Sequence, residues 1–429
     1  MTRRLGHLGR RQWNILLALV AAALTACTGS ASGPIAAKID HPMEVSPYQI
    51  NLLADGTEIE LAGGMPYGTA EAVRKELDTA PSVHVIHLNS TGGQALEGYK
   101  LGLLIKERHL VTYTSTTCAS ACTLAFIAGT RRYLAENAWL GFHSASLSLG
   151  GESWATGNQA MRDIYQRAGL PESFIAKALT TAPSEIWYPT HQELTTAHVV
   201  DEIVDAQKFA KSGLAHWNNT ADLDHALQAN RFYAVLAARD ATSYSKIREI
   251  FLAGSQSGRS AADVDADATK FAAKYLLPAY IKSAPDAELL RYQRVQLDEL
   301  EYMAKTAPST CAATAFPDLG IAANDLEHSL SLSLQGRDID SLADLADAAI
   351  TRPRANAGDE ILAQIAMLKF FHEFFKTSPA SLEIIKNPKA HLDDPQLLCH
   401  TVRDFYRAIL DQPSEQAAAI TRAILGRSS

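Results

Sequence analysis

The first half of the chain alternates short apolar runs with amphipathic stretches. Apolar runs at residues 83–88 and 110–114 have the length of buried strands, and residues 94–108 show a helical period. Three apolar side chains share one face of that predicted helix: Leu96, Tyr99 and Leu103. Segments 49–53 and 58–61 flank an Asp-Gly pair, which is typical of a hairpin. Strands alternating with helices of this length predict a largely parallel sheet.

The pattern changes near residue 207. From there to residue 429 the chain is rich in Ala, Leu, Asp and Lys, and its apolar residues recur with the helical period. The clearest helical segments are 223–236, 270–281, 287–304 and 360–375. We therefore predict an α/β domain over 47–206 and an all-α domain over 207–429. A cluster of phenylalanines is expected in the core of the helical domain: Phe370, Phe371, Phe374 and Phe375. No catalytic pattern occurs there, so its expected role is to bind another protein or present substrate.

The N-terminus has the pattern of an export signal. Four arginines precede an apolar run at 15–24, which is too short to span a bilayer. The ending Leu-Thr-Ala-Cys resembles the lipobox of bacterial lipoproteins, in which the cysteine, here Cys27, is lipidated. We expect residues 1–26 to be a lipoprotein signal peptide and 27–46 a tether; the alternative is a plain secretory signal. The protein would then be a periplasm-facing lipoprotein of the cell envelope, and Thr28 favours the outer membrane.

Bulk composition excludes some functions. The 429 residues carry a net charge of −8, with 20% charged and 47% hydrophobic residues. A negative surface does not favour nucleic-acid binding. The cysteines lack metal-ligand histidines at suitable spacing, and no cofactor motif occurs, so neither a metal nor a cofactor is expected.

Export changes the interpretation of the cysteines. Apart from Cys27 there are four, an even number that suits an oxidising compartment. Four cysteines allow three pairings, and sequence proximity favours Cys118 with Cys122 and Cys311 with Cys399. For the short pair, two buried free thiols remain the alternative, since disulfide geometry is strict.

Three motifs each follow a predicted strand. Residues 88–93 read Leu-Asn-Ser-Thr-Gly-Gly, residues 117–129 contain Cys-Ala-Ser-Ala-Cys, and residues 140–143 read Leu-Gly-Phe-His. Ligand sites in open α/β sheets lie at such strand ends. A serine between small residues at a strand-to-helix turn is typical of a nucleophile, and a histidine is its usual base, so Ser120 and His143 are the candidates.

The three motifs resemble those of the proteolytic subunit of the Clp protease, within the Clp/crotonase superfamily, and resemble its periplasmic branch more closely. The resemblance covers about residues 48–206 and implies a Clp/crotonase-like α/β fold of ββα-type units acting on peptide or protein substrates. It implies these roles: nucleophile, Ser120; base, His143; third triad member, Glu185; oxyanion-hole amides, Gly93 and Ala121.

The sequence departs from the family pattern in ways that bear on activity. Thr91 stands where the family has proline, two cysteines bracket the serine, and Glu185 stands where the family has aspartate. Superfamily members with a Ser–Lys dyad suggest Lys100 or Lys106 as base, but both are expected to be solvated. Two function classes therefore remain: an exported serine peptidase, or a catalytically inactive lipoprotein that serves as a scaffold or binds peptides.

Overall fold

The computed structural model describes residues 48–145, 153–205, 207–214, 217, 220–321, 326–354 and 360–426. The predicted signal peptide, the tether and Cys27 lie outside the described residues, as does part of segment 144–158, for which the sequence predicts a flap beside the site. The described chain forms two compact units. The first comprises 48–226 with 254–262, and the second comprises the remaining described residues.

The first unit is built on an eight-stranded sheet. Its strands are β1 (Tyr48–Leu53), β2 (Glu58–Met65), β3 (Val85–Gly93), β4 (Val111–Thr114), β5 (Thr117–Ala119), β6 (Arg132–Ala135), β7 (Trp139–Gly141) and β8 (Glu202–Val204). The main order is β1-β2-β3-β4-β6-β8, and β5 joins β3 to β7. Only the β1–β2 pair, the predicted hairpin, is antiparallel among these pairings. The largely parallel sheet predicted from the alternating pattern is confirmed.

Helices connect these strands. They are α1 (Thr69–Thr79), α2 (Ala95–Glu107), α3 (Ala121–Phe126), α4 (Ser153–Arg167), α5 (Glu172–Thr180) and α6 (His191–Thr196). The start of α1 is capped by another helix, because the buried Glu97 of α2 accepts a hydrogen bond from the Ala70 N–H at 3.0 Å. A carboxylate at a helix N-terminus satisfies an orphan amide and opposes the positive end of the helix dipole.

Helix α2 buries a different face from the one predicted. Leu96 and Leu103 are about half exposed, at 52% and 50%. The buried side instead carries Gly98 and Gly102, which lie against α3. A Cβ on Gly98 would stand 2.0 Å from the Ala121 carbonyl oxygen, so only glycine permits this approach. The orientation of α2 thus combines close backbone packing at the two glycines with the burial of Leu101, Leu104 and Ile105.

The sheet splits where β3 changes neighbours. His87 of β3 pairs with Tyr113 of β4, whereas Ser90 pairs with Cys118 of β5. Strand β5 then pairs in parallel with β7. The carboxyl ends of β3, β5 and β7 therefore lie side by side. The first motif forms the end of β3, so its glycine pair lies within the strand and not after it as predicted; the other two motifs begin within β5 and β7 and continue beyond them.

The second unit is helical. With the helices at its border, its elements are α7 (Thr220–Gln228), α8 (Arg231–Arg239), α9 (Ala241–Gln256), α10 (Ala261–Phe271), α11 (Leu277–Ser283), α12 (Asp286–Thr306), α13 (Pro308–Ala315), α14 (Leu332–Thr351), α15 (Glu360–Thr377), α16 (Pro379–Lys386), α17 (Pro395–Leu410) and α18 (Ser414–Leu425). A π-helical turn, Ala272–Leu276, joins α10 to α11. The helix predicted over 223–236 is two helices, because the Asn230 side chain caps the second.

The helical unit has its own core and covalent link. Phe370, Phe371 and Phe374 are buried as predicted and pack around Phe405 of α17. A disulfide joins Cys311 of α13 to Cys399 of α17, which confirms the predicted pair. None of the helices in the described ranges is both long and apolar enough to cross a membrane. A mixed α/β domain followed by a mostly helical region is the architecture of the described chain.

Candidate active site

Ser120 occupies a strained position between β5 and α3. Its backbone has φ 55° and ψ −126°, a conformation that costs a non-glycine residue about 1–3 kcal/mol. Main-chain bonds hold it on both sides: its N–H donates to the Gly141 carbonyl at 2.8 Å, and its carbonyl accepts from the Thr123 N–H at 3.0 Å. A sharp, strained strand-to-helix turn is the geometry in which nucleophilic serines project their hydroxyl from a sheet.

A disulfide closes around this serine. Cys118 at the middle of β5 is bonded to Cys122 in the first turn of α3, with Cα atoms 5.3 Å apart, and both residues are buried. The predicted pairing is confirmed, and the alternative of two free thiols is wrong. The link joins the residues two places before and two places after Ser120, so it restrains the strained backbone between them.

His143 lies beside the serine hydroxyl. Its Nε2 is 2.7 Å from Ser120 Oγ, and its Nδ1 is 2.7 Å from the Ser144 carbonyl oxygen. A carbonyl oxygen only accepts hydrogen bonds, so Nδ1 carries the proton in neutral imidazole and Nε2 offers its lone pair to the hydroxyl. This is the tautomer that a general base needs.

Burial keeps that imidazole neutral. His143 is only 5% exposed. Burial lowers the pKa of His143 from its ordinary 6.5, and the hydrogen bond to the Ser144 carbonyl counteracts part of this effect. A neutral histidine at physiological pH can accept the serine proton.

The acceptor for Nδ1 is itself held in place. Both the N–H and the hydroxyl of Ser144 donate to the Thr181 carbonyl, at 2.9 and 2.7 Å. Ser144 is 1% exposed, so solvent does not compete for these bonds. Sequence reasoning missed this carbonyl, because a main-chain acceptor leaves no residue type to recognise; its adjacency to His143 is the only signal.

Glu185 follows Thr181 in the connection between α5 and α6. Its side chain is half-buried, and its N–H donates to the Ala182 carbonyl at 2.9 Å. The hydrogen bond from His143 Nδ1, which the prediction assigned to this carboxylate, goes to the Ser144 carbonyl. The triad role of Glu185 stays a prediction.

The glycine pair lies against the serine turn. A Cβ on Gly92 would stand 2.6 Å from the Ala119 oxygen and 2.9 Å from the Ala121 nitrogen, so glycine is required there. The next N–H, of Gln94, donates across the sheet to Met65 of β2.

The two predicted oxyanion donors are the N–H groups of Gly93, the last residue of β3, and Ala121, the first residue of α3. Because the Gln94 N–H donates to β2 and successive N–H groups of a strand point to opposite sides, the Gly93 N–H is directed away from β2. The Ala121 N–H belongs to the first residue of α3, where no helical carbonyl is available to accept it. Their catalytic role stays a prediction.

The other predicted residues do not join this cluster. Lys100 is half exposed and donates to Glu97 at 2.9 Å, as expected for a solvated lysine. Cys311 and Cys399 belong to the helical unit. Within the described ranges, no group of three or more His, Cys, Asp or Glu side chains could hold a metal ion.

Comparison with solved structures finds similarity to ClpP1 from Listeria monocytogenes, with a TM-score of 0.32, 19% identity and coverage of 35% of this chain and 92% of that chain. A point mutant of the same Listeria protein gives a TM-score of 0.31 and 21% identity, with the same coverage. No protein-family model matches the chain, and no curated protein matches it.

Proposed function

We propose that this protein is a serine hydrolase that cleaves peptide bonds, with Ser120 as nucleophile and His143 as general base. The observation that carries the proposal is the 2.7 Å hydrogen bond between Ser120 Oγ and His143 Nε2. The strained serine backbone and the buried neutral histidine add to it, because both are features of activated nucleophiles. The resemblance of the three sequence motifs to the Clp/crotonase superfamily supports peptides as the substrate class.

The reaction follows from the positions of these groups. Nε2 of His143 takes the proton of Ser120 Oγ as the oxygen attacks the substrate carbonyl carbon. The N–H groups of Gly93 and Ala121 stabilise the negative oxygen of the tetrahedral intermediate, at about 3 kcal/mol per donor. His143 then protonates the leaving amine. Water, deprotonated by the same nitrogen, releases the acyl group from the serine.

The Ser144 carbonyl performs the orienting role in this proposal. It fixes the protonated Nδ1 and so keeps Nε2 directed at the hydroxyl. When His143 becomes an imidazolium, this carbonyl faces the positive charge that forms on the ring. Glu185 is the competing candidate for orienting His143. The Glu185→Gln variant distinguishes its carboxylate from the Ser144 carbonyl in this role.

A fluorophosphonate probe tests the proposal directly. We expect folded wild-type protein to gain one adduct, located at Ser120 by peptide mass mapping. Ser120→Ala and His143→Ala should gain none, whereas Ser82→Ala, at an exposed serine, should label like wild type. Cleavage of a fluorescein-labelled unfolded protein should follow the same order. Absence of labelling in folded wild type would instead support the inactive, peptide-binding lipoprotein.

We place this hydrolase in the bacterial cell envelope, facing the periplasm and anchored by a lipid on Cys27. The order of basic segment, apolar run and Leu-Thr-Ala-Cys supports export and lipidation. The two disulfides agree with an oxidising compartment. The mass of the mature N-terminal peptide tests the anchor: a lipid-modified Cys27 is expected, and an unmodified free N-terminus would contradict it.

A further inference from the structure

A second buried polar cluster lies behind the serine turn, centred on Asn89 of β3. Asn89 is 8% exposed and sits between His87, which pairs with β4, and Ser90, which pairs with β5. At this point the chain leaves β4 and passes through Ser115 and Thr116 before β5 begins. Asn89 therefore lies where β3 changes its neighbour from β4 to β5.

The Asn89 side chain bonds to this connection with four contacts. Its Oδ1 accepts from the N–H and hydroxyl of Ser115, at 3.1 and 3.2 Å. It also accepts from the N–H and hydroxyl of Thr116, both at 3.1 Å. The side chain of Asn89 thus provides the acceptor for the Ser115 and Thr116 N–H groups. Leaving a buried amide unpaired costs about 1–3 kcal/mol.

The other end of the Asn89 amide is fixed by a buried carboxylate. Nδ2 donates to Glu60 Oε1 at 2.8 Å, and the Gly213 N–H donates to the same oxygen at 2.7 Å. Glu60 is 3% exposed. The amide therefore cannot rotate without losing bonds at both ends.

A Ser–His–Glu series adjoins this cluster and resembles a second triad. His87 Nδ1 is 2.7 Å from Ser212 Oγ, and its Nε2 is 2.6 Å from Glu58 Oε2. However, His87 is fully buried, and the N–H groups of Ala210 and Gly213 already donate to carboxylates, so they are not available to an oxyanion. The series fastens residues 207–213 to the sheet and is not a catalytic site.

We propose that Asn89 is the positioning residue of the active site, setting the place of both Ser120 and His143. Thr116 is the common point. Its N–H donates to Asn89, and it precedes Ser120 by four positions in the chain. Its carbonyl accepts from the Trp139 N–H of β7 at 2.8 Å. Strand β7 carries His143 two residues beyond its end. The inference rests on the proposed function for its catalytic consequence.

Exchanging the Asn89 amide for a carboxylate and the Glu60 carboxylate for an amide tests this role without removing either side chain. Asn89→Asp keeps the acceptor but loses the donor and places two carboxylates together. Adding Glu60→Gln replaces the second carboxylate by an amide that can donate to it, but the Gly213 N–H then loses its acceptor, so only part of the effect should be recovered. In Asn89→Ala and Asn89→Asp we expect the maximal rate of fluorophosphonate labelling to fall by about 10- to 100-fold, because small misplacement of reacting groups costs that much.

The labelling kinetics separate positioning from simple loss of structure. Probe affinity should change little, since the Asn89 side chain is buried. The Glu60→Gln/Asn89→Asp double variant should be labelled faster than Asn89→Asp but more slowly than wild type, because the Gly213 N–H loses its acceptor. Ser212→Ala is a graded comparison: it removes a hydroxyl that contacts Asn89 Nδ2 at 3.4 Å and Ser115 Oγ at 2.9 Å but leaves all four Oδ1 contacts, so its rate should fall less than that of Asn89→Ala. Unchanged rates in folded Asn89→Ala and Asn89→Asp would overturn the inference.

Hydrogen exchange gives a readout independent of activity. The amides of Ser115 and Thr116 should exchange at least tenfold faster in Asn89→Ala, which removes their acceptor, and less so in Asn89→Asp, which keeps it. If wild type is not labelled but these amides respond, the proposed hydrolase fails while Asn89 still holds the turn. If the amides do not respond, the positioning role is wrong whatever the labelling shows.

Discussion

His143 donates its Nδ1 hydrogen bond to the carbonyl of Ser144, its own neighbour in the chain, at 2.7 Å. The N–H and the hydroxyl of Ser144, the residue that provides this acceptor, both donate to the Thr181 carbonyl. The base is thus oriented by main chain that is fixed through a loop far along the sequence. A carboxylate in the same place would fix the same tautomer and would also contribute a full negative charge.

Glu185→Gln distinguishes these two ways of orienting the base. If the Ser144 carbonyl performs the task, fluorophosphonate labelling should stay within about threefold of wild type. Removing the charge of an essential triad carboxylate instead lowers turnover by about 10⁴-fold. Labelling rates of the variant and wild type, with His143→Ala as the inactive control, give the answer. A loss of several orders of magnitude would establish Glu185 as the third member.

The pH dependence of labelling should report the burial of His143. The neutral imidazole is the active form, and burial lowers its pKa from 6.5. The midpoint of the decline in labelling at acid pH should therefore lie below pH 6.5. Rates measured between pH 4 and 9, over the range in which circular dichroism shows folded protein, test this. A midpoint at or above 6.5 would contradict it.

The same shift has a consequence for stability. The unfolded chain takes up a proton on this histidine at a higher pH than the folded chain does. The stability contributed by burying the neutral ring is therefore full above the unfolded pKa and is lost as pH falls through the folded value. Folded His143→Gln should show a smaller loss of stability in acid than wild type.

The two disulfides should affect different properties. Cys118→Ala/Cys122→Ala frees the strained turn, so labelling should fall by about tenfold or more while stability decreases by about 2 kcal/mol. Cys311→Ala/Cys399→Ala opens a long loop in the helical unit and should cost about 4 kcal/mol with no change in labelling. Thermal unfolding and labelling of both double variants provide the comparison. Equal labelling in the Cys118 and Cys122 variant would show that the link is not needed to hold Ser120.

Two glycine-to-alanine changes in helices should have opposite signs. Gly98→Ala places a Cβ 2.0 Å from the Ala121 carbonyl oxygen and should destabilise the protein by about 1–3 kcal/mol or more, while lowering labelling. Gly336→Ala, in α14, meets nothing within 4 Å and should stabilise by about 1 kcal/mol through helix propensity. Denaturant unfolding measures both. A neutral Gly98→Ala would mean that α2 and α3 are less closely packed than described.

The strands, the helical second half and two candidate site residues could be predicted from the sequence alone. The Asp-Gly pair located the hairpin, the short apolar runs located parallel strands, and the helical period located the helical second half. Ser120 and His143 could be named because each follows an apolar strand, and parallel strands bring their carboxyl ends to one edge. The cysteine pairs followed from an even count and from proximity in the chain.

Other features were decided only by the tertiary structure. Leu96 and Leu103 suggested the wrong buried face of α2, because the face that packs inward carries Leu101, Leu104 and Ile105 and also brings Gly98 against a backbone carbonyl. The break at Asn230 depends on a cap that competes locally with helix continuation. The Ser144 carbonyl and the contacts of Asn89 are invisible in sequence, since main-chain groups are common to all residues and acquire partners only when distant segments meet. Residue type thus determined which groups could react, and three-dimensional packing decided which atoms orient them.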